Sequence, residues 1–323
     1  MGQNISRFLQ WGPNVFLYRN LGWRFTHPYL FLLGNLYFAL KAQDLRKISQ
    51  SIEEVFGAIR SPSEIKRIKS MTVQGILSHY FEKIFNAYEA LPLLTSFLKD
   101  HVSAPGLHKL DEALNRKNGV LFVTGHYGGV EYIPILIGMH HYPLSVVFKC
   151  ATTRLQDTLH RKAEDLGIKV IDPSEGNTMR DIMQNLKENR IVMVECDEIE
   201  AWRPSPKERM VFLGKHIGVD RTITVLQKRS GAEIVFGLLQ RLGLRRYDLV
   251  LETYQDVLSH GEGLQHSPAA LMLKNLERHI YANPQMWYQW KHFNDLGSSF
   301  DAPRAARTEK PAAILDPVFW PAW

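Results

Sequence analysis

Apolar residues follow two different rhythms along this chain. Between residues 119 and 253 they come in short runs, at 119–124, 144–149, 168–171, 191–196, 232–239 and 247–253. Runs of about four to eight residues, rich in Val, Ile and Leu, predict strands buried on both faces. Helical stretches separate most of them, and that alternation predicts one α/β domain with a largely parallel central sheet flanked by helices. Upstream the rhythm is longer. Ser61-Pro62-Ser63-Glu64 places a capping serine before a helical proline and a glutamate at the third position, so a helix starts there and runs to about Tyr88. Ile65, Ile68, Ile76, Leu77, Phe81, Ile84 and Phe85 form its apolar face.

The densest apolar stretch, Leu21 to Leu40, is interrupted by Arg24, His27 and Pro28. A bilayer span needs about 20 mostly apolar residues, so this is a short span, a helix lying in the membrane interface, or a buried core helix. Arg7, Arg19, Lys41, Arg46 and Lys47 flank it and suit an anionic surface. The expected organisation is a membrane-associating helical segment at 1–60, the α/β domain at 61–300, and a Pro- and Ala-rich tail at 301–323 without fixed structure of its own. Phe319, Trp320 and Trp323 give that tail the means to dock on protein or membrane.

Charge narrows the partners. Lys and Arg number 39 against 33 Asp and Glu, a net charge of +6 over 323 residues. That balance favours anionic lipids or phosphates. Nucleic acid is not expected, because no zinc-finger spacing, RNA-recognition aromatics or basic arm accompanies the charge. With Cys150 and Cys196 alone, neither a disulfide framework nor a thiolate metal site is indicated, which fits a reducing location.

The candidate chemistry lies where the first strand of the domain ends. Gly125-His126-Tyr127-Gly128-Gly129-Val130-Glu131 puts a histidine at the carboxyl edge of the sheet, the side on which ligands collect in open α/β folds. A carboxylate in the next turn, Glu131, is the expected partner that orients His126 as a general base for a hydroxyl. No side-chain nucleophile is needed if the substrate supplies the hydroxyl, so the implied reaction is direct acyl transfer. The N–H groups of Gly128 and Gly129 are the expected oxyanion donors. Lys149, Arg161, Lys215 and Arg221 lie near strand ends or helix starts and are candidates for an anionic substrate. His160 and Asp165 repeat the spacing in a charged helical run that reads as a solvated face. Trp287 and Trp290 read as core packing, and a zinc site joining His140 and His141 to His126 would need a long return of the chain.

Four stretches, in order over residues 105–295, resemble the bacterial late acyltransferases of lipid A biosynthesis, the lauroyl/myristoyl type. They are His126 through Glu131, matching a His-x-x-x-x-Asp/Glu motif; Ile191 through Asp197, a strand ending in an acid; Val211-Phe212-Leu213-Gly214-Lys215; and Asn283-Pro284-Gln285-Met286-Trp287. The resemblance implies a glycerol-phosphate acyltransferase-like fold with His126 as base and Glu131 as its partner. It adds Asp197 to the substrate residues and matches Arg161 to an arginine of the family, beside Gly128, Gly129, Lys215 and Arg221 from the reading above. It also implies an acyl carrier protein or acyl-CoA thioester as donor with no further cofactor, an anionic lipid A-like glycolipid as acceptor, and a position at the cytoplasmic face of the bacterial inner membrane. The longer acidic loop Glu198 to Arg209 and the closing Lys291-His292-Phe293 depart from the family pattern, which leaves the acceptor open. A non-catalytic lipid-binding protein and a thioester hydrolase are the alternatives.

Overall fold

Ser61 and Glu64 cap one another in the computed structural model, which describes residues 5–149, 152–199, 202–243, 245–260 and 266–296. The Ser61 N–H donates to Glu64 Oε2 at 2.9 Å and the Glu64 N–H donates to Ser61 Oγ at 3.3 Å. The helix they open is preceded by α1 (Ile5–Leu9), α2 (Gly12–Leu21), α3 (Trp23–Leu40) and α4 (Ala42–Phe56), and is itself α5 (Pro62–Tyr88). There follow α6 (Leu91–His101), β1 (Val102–Ser103), α7 (His108–Asn115), β2 (Val120–Thr124), α8 (Ile133–Met139), β3 (Leu144–Val147), α9 (Thr153–Asp165), β4 (Lys169–Ile171), α10 (Thr178–Lys187) and β5 (Ile191–Glu195). The chain continues through β6 (Pro204–Phe212), β7 (Lys215–Asp220), α11 (Thr222–Ser230), β8 (Glu233–Gly243), β9 (Arg246–Thr253), α12 (Tyr254–Ser259) and α13 (Pro268–Ala282). The tail at 301–323 and Cys150 lie outside the described residues.

Seven strands form the central sheet in the order β1-β9-β8-β2-β5-β3-β4. Neighbours run parallel except β8 and β9. That exception follows from length, because the short link from Gly243 to Arg246 can close a hairpin but not a crossover. Two apolar clusters cover the two faces: Leu121 and Val123 of β2 belong to one, Val120 and Phe122 to the other. The α/β architecture and largely parallel sheet are as the apolar runs predict. A second hairpin, β6 with β7, was not predicted; it turns at Leu213 (φ 49°) and Gly214 (φ 80°), the paired positive φ of a tight hairpin turn.

Register decides what meets at the carboxyl edge. β2 and β5 pair from Val120 with Ile191 to Thr124 with Glu195. His126 and Asp197 each come two residues after their strand's last pair, so the parallel strands deliver them side by side.

The apolar stretch at 21–40 is the last residue of α2, a break at Gly22, and α3, a helix with two faces that carry apolar residues. On one, Thr26, Leu30, Gly34, Tyr37 and Phe38 are buried, and Gly34 lets Leu77 of α5 pack close, since a Cβ there would stand 2.2 Å from Leu77 Cδ2 and move that side chain. On the other, Phe25, Leu32, Leu36 and Leu40 are exposed, as are Trp11, Phe16 and Leu21 at and along α2. Among the described residues no helix is long and apolar enough to cross a membrane. The segment ahead of α5 also braces the domain: Lys291 Nζ meets Asp44 Oδ2 at 2.9 Å and Phe56 packs on Trp290.

One buried ion pair ties α5 to the sheet. Arg241 of β8 donates to both oxygens of Glu82, at 2.5 and 3.0 Å, and also to the Gly128 carbonyl at 2.6 Å and Tyr288 Oη at 3.0 Å. Tyr247 Oη adds a third donor to Glu82 at 3.0 Å. Burial pushes the Glu82 carboxyl up and the guanidinium pulls it back; the bidentate fork keeps the pair ionised. Removing one partner leaves the other charge buried and uncompensated. Glu82→Ala should therefore lower unfolding free energy by about 3–5 kcal/mol, measured by urea denaturation. A loss below about 1 kcal/mol would mean that the pair does not hold the fold.

Candidate active site

His126 follows β2 with its ring at the sheet edge and its side chain 22 % exposed. Its Nδ1 lies 3.0 Å from Asp197 Oδ1, and its backbone N–H donates to the same carboxylate at 3.0 and 3.1 Å. A carboxylate can only accept, so Nδ1 carries the proton and Nε2 faces the open side. Trp287 completes the arrangement by donating its indole N–H to Asp197 Oδ2 at 2.7 Å. Asp197 is thus a buried acceptor shared by a strand end and the turns after α13. This is the base-and-orienter geometry of acyl-transfer sites, with Asp197 in the orienting place.

Two further carboxylates face Nε2, Glu195 Oε2 at 3.4 Å and Glu198 Oε2 at 3.6 Å. Burial alone would lower the His126 pKa, but Glu195, Asp197 and Glu198 outweigh it and raise it to about 10. Burial pushes the Glu195 carboxyl up. In the free site His126 is therefore cationic at neutral pH. His126, Glu195 and Glu198 offer ligand atoms within 4.8 Å of one another and could hold a metal ion. Cys196 is no rival nucleophile, because burial pushes its thiol up.

Glu131 is placed differently from expectation. Its Oε1 lies 3.1 Å from Lys83 Nζ and 3.6 Å from His79 Nε2, both on α5, while the orienting position at His126 belongs to Asp197. The glycine loop explains this. Gly128 has φ 59°, and a Cβ there would fall 1.9 Å from the Leu239 carbonyl oxygen, so the loop is clamped against β8 and carries Glu131 away from the ring. The same clamp removes the expected oxyanion donors. Gly128 N–H donates to Met286 O at 3.0 Å and Gly129 N–H to Leu239 O at 2.7 Å, so neither serves a substrate.

A cavity of about 640 Å³ opens beside His126, a usual size for a site that takes one ligand. It runs over the carboxyl edge of the sheet. Ile135, Val146, Leu159, Ala163 and Ile168 border it on one side, and Ile182, Val194, Val219, Ile223 and Leu273 on the other. Lys149, Lys83, His79, Glu131, Glu195 and Glu198 supply most of its polar wall. Three of the expected substrate residues lie elsewhere. Arg161 is exposed and donates back to the Asp157 carbonyl at 3.1 Å, because α9 turns Leu155, Leu159 and Ala163 inward at four-residue steps. Lys215 is held by Phe293 O at 3.2 Å and Asn294 Oδ1 at 2.9 Å. Arg221 is exposed outside the cavity wall at the start of α11, although Asp220 and Thr222 beside it line the cavity.

A family model, bacterial lipid A biosynthesis acyltransferase, matches residues 16–292. The chain belongs to that family. A search of the curated proteins finds no match. The family segment takes in α3 to the turns after α13, so it includes His126, Asp197, Trp287 and the whole cavity. Sequence reasoning passed over Glu195 and Glu198 as site groups, although both flank the acid at a strand end. It had no local signal for Lys83 and His79, which reach the cavity from α5.

The carboxylates around Nε2 make a pH prediction. A base must be neutral, so kcat/KM should climb with pH above neutrality as the imidazolium loses its proton. Glu198→Gln removes one anion that favours the cation, so the His126 pKa falls and the climb moves to lower pH. A pH–rate profile of both proteins checks this, and an unmoved limb would remove Glu198 from contact with the base.

Proposed function

We propose that this lipid A-type acyltransferase moves a fatty acyl group from an acyl carrier protein or CoA thioester to a hydroxyl of a lipid A-like glycolipid. The observation that carries the reading is His126 held by Asp197 with Nε2 turned to the cavity. The acceptor hydroxyl gives its proton to His126, once that ring is neutral, while its oxygen attacks the thioester carbonyl. His126 returns the proton to the departing thiolate. Asp197 fixes the tautomer and stabilises the imidazolium between the two transfers. The apolar walls of the cavity suit the acyl chain, and no cofactor beyond the thioester is required. Lys149, at the cavity wall, takes over the role expected of Arg161 as the contact for an anionic group on acceptor or donor.

Activity of folded variants tests the assignment. With a labelled acyl thioester of acyl carrier protein and under-acylated lipid A, the wild type should yield labelled lipid. His126→Ala should lose at least about a hundredfold in kcat, and Asp197→Asn a similar amount through the wrong tautomer. Labelled free fatty acid as the main product would identify a thioester hydrolase, and no turnover a lipid-binding protein.

The reading extends to location. The exposed Phe25, Leu32, Leu36 and Leu40 form a stripe that suits a helix lying in the interface of an anionic bilayer, at the cytoplasmic face of the inner membrane. Each leucine in such a contact contributes on the order of 1 kcal/mol. Leu32→Asp with Leu36→Asp should weaken co-sedimentation with anionic vesicles about tenfold or more while leaving the fold intact by circular dichroism. Unchanged sedimentation would sink the interfacial role of this face.

A further inference from the structure

Acyl transfer makes opposite demands on the two ends of the reacting group. As the acceptor oxygen bonds to the thioester carbon, its proton passes to His126 Nε2 and the carbonyl π pair moves onto oxygen. On collapse the C=O bond reforms, the C–S bond breaks, and the thiolate takes the proton back from His126. The base end tolerates anions, but the oxyanion needs a donor placed before the charge develops. Around His126 the environment is the wrong sign for that, with Glu195, Asp197 and Glu198 grouped on the ring. The N–H groups of His126, Gly128 and Gly129 are bonded to Asp197, Met286 and Leu239.

Among the described residues that line the cavity, the cationic side chains other than His126 are Lys83 and Lys149. Lys149 is exposed, in the stretch after β3. Lys83 is fixed. Its ammonium is 3.1 Å from Glu131 Oε1, and one helical turn on, Asn86 Nδ2 donates to the Glu131 carbonyl oxygen at 2.8 Å. Both ends of Glu131 are therefore tied to α5, and the loop that begins at His126 ends on this tie. Beside it His79 stacks on Tyr288 at 4.0 Å, and Tyr288 N–H donates to the His126 carbonyl at 3.0 Å, so the α5 wall and the base share one frame. Burial, with Lys83, Arg241 and His126 nearby, holds the His79 pKa well below its usual value, so His79 brings no second cation to Glu131.

We propose that Lys83 is a catalytic residue that holds the thioester carbonyl oxygen as its charge develops, and that Glu131 is the positioning residue that aims it. His126 and Glu131 then serve opposite ends of the reaction: the histidine handles the proton and the glutamate sets the cation for the oxyanion. This rests on the acyl-transfer reading above.

The test uses the full-length protein, a radiolabelled dodecanoyl thioester of acyl carrier protein and under-acylated lipid A. Lys83→Met should lose about a hundredfold to a thousandfold in kcat, with KM for either substrate changed less than about threefold. The pH at which kcat/KM climbs should stay put, because that limb belongs to His126. Lys83→Arg should recover activity to within about tenfold of wild type, and Glu131→Gln should lose kcat by an intermediate factor without moving the limb. If Lys83→Met does not fold, the comparison of Lys83→Gln with Lys83→Arg decides, since both keep a polar end and one keeps the charge. A kcat within about threefold of wild type in a folded, uncharged Lys83 variant would overturn the proposal. So would a loss matched by a shifted pH limb, which would mean that Lys83 acts through the base. If His126→Ala abolishes transfer while uncharged Lys83 variants do not slow it, this inference fails and the acyl-transfer reading stands. If the wild type transfers nothing to lipid, the reading itself fails.

Discussion

A buried carboxylate is stable only where donors meet its oxygens, and Asp197 meets that condition by drawing three stretches of chain to one point. The His126 backbone and ring come from the end of β2, the aspartate from the end of β5, and the Trp287 indole from the turns after α13. The Asp197 side chain itself is 1 % exposed, so these donors stand in for the water it has lost. The grouping therefore fixes the base as a by-product of satisfying the acid. It also explains why the closing turns belong to the site: Trp287 packs in the core and positions the chemistry with the same ring.

A second hub sits behind the first. Arg241 joins Glu82, the Gly128 carbonyl and Tyr288, so α5, the glycine loop and the closing turns are locked to β8. That lock turns α5 from a covering helix into a wall of the cavity. It brings Lys83 and the His79 imidazole into the same cavity as the acidic group at Nε2. Net charge alone could not have indicated this arrangement, because the excess of basic residues over the whole chain says nothing of the sign at one mouth.

The sheet was legible because apolar runs bracketed by polar residues have few other uses in a chain of this length. His126 was legible for the same reason, since it closes such a run; Asp197 came in only through the family resemblance, and among the substrate residues rather than as the partner of the base. Glu131 was misread through its spacing. An interval of five means proximity only if the intervening backbone is regular, and Gly128 with positive φ, pressed on Leu239, breaks that regularity. Arg161 failed on helical phase, two residues from the inward row of α9. The β6–β7 hairpin stayed hidden because Lys207, Glu208 and Arg209 break the apolar pattern. Lys83 and His79 were invisible because their link to the site is purely tertiary. The apolar stretch at 21–40 was ambiguous for a physical reason: one face of α3 packs on α5 and the other is apolar and exposed, and hydropathy along a sequence adds the two together.

The in-step pairing of β2 with β5 limits how such a chain can change length. His126 and Asp197 stand the same number of residues beyond partners that face each other across the ladder. One residue gained or lost between Thr124 and His126, or between Glu195 and Asp197, would advance one side by about 3.3 Å and reverse the direction of its side chain. The two connections at this edge are therefore coupled in length, and on the β5 side insertions that leave the chemistry intact must fall beyond Glu198, in the stretch that leads to β6.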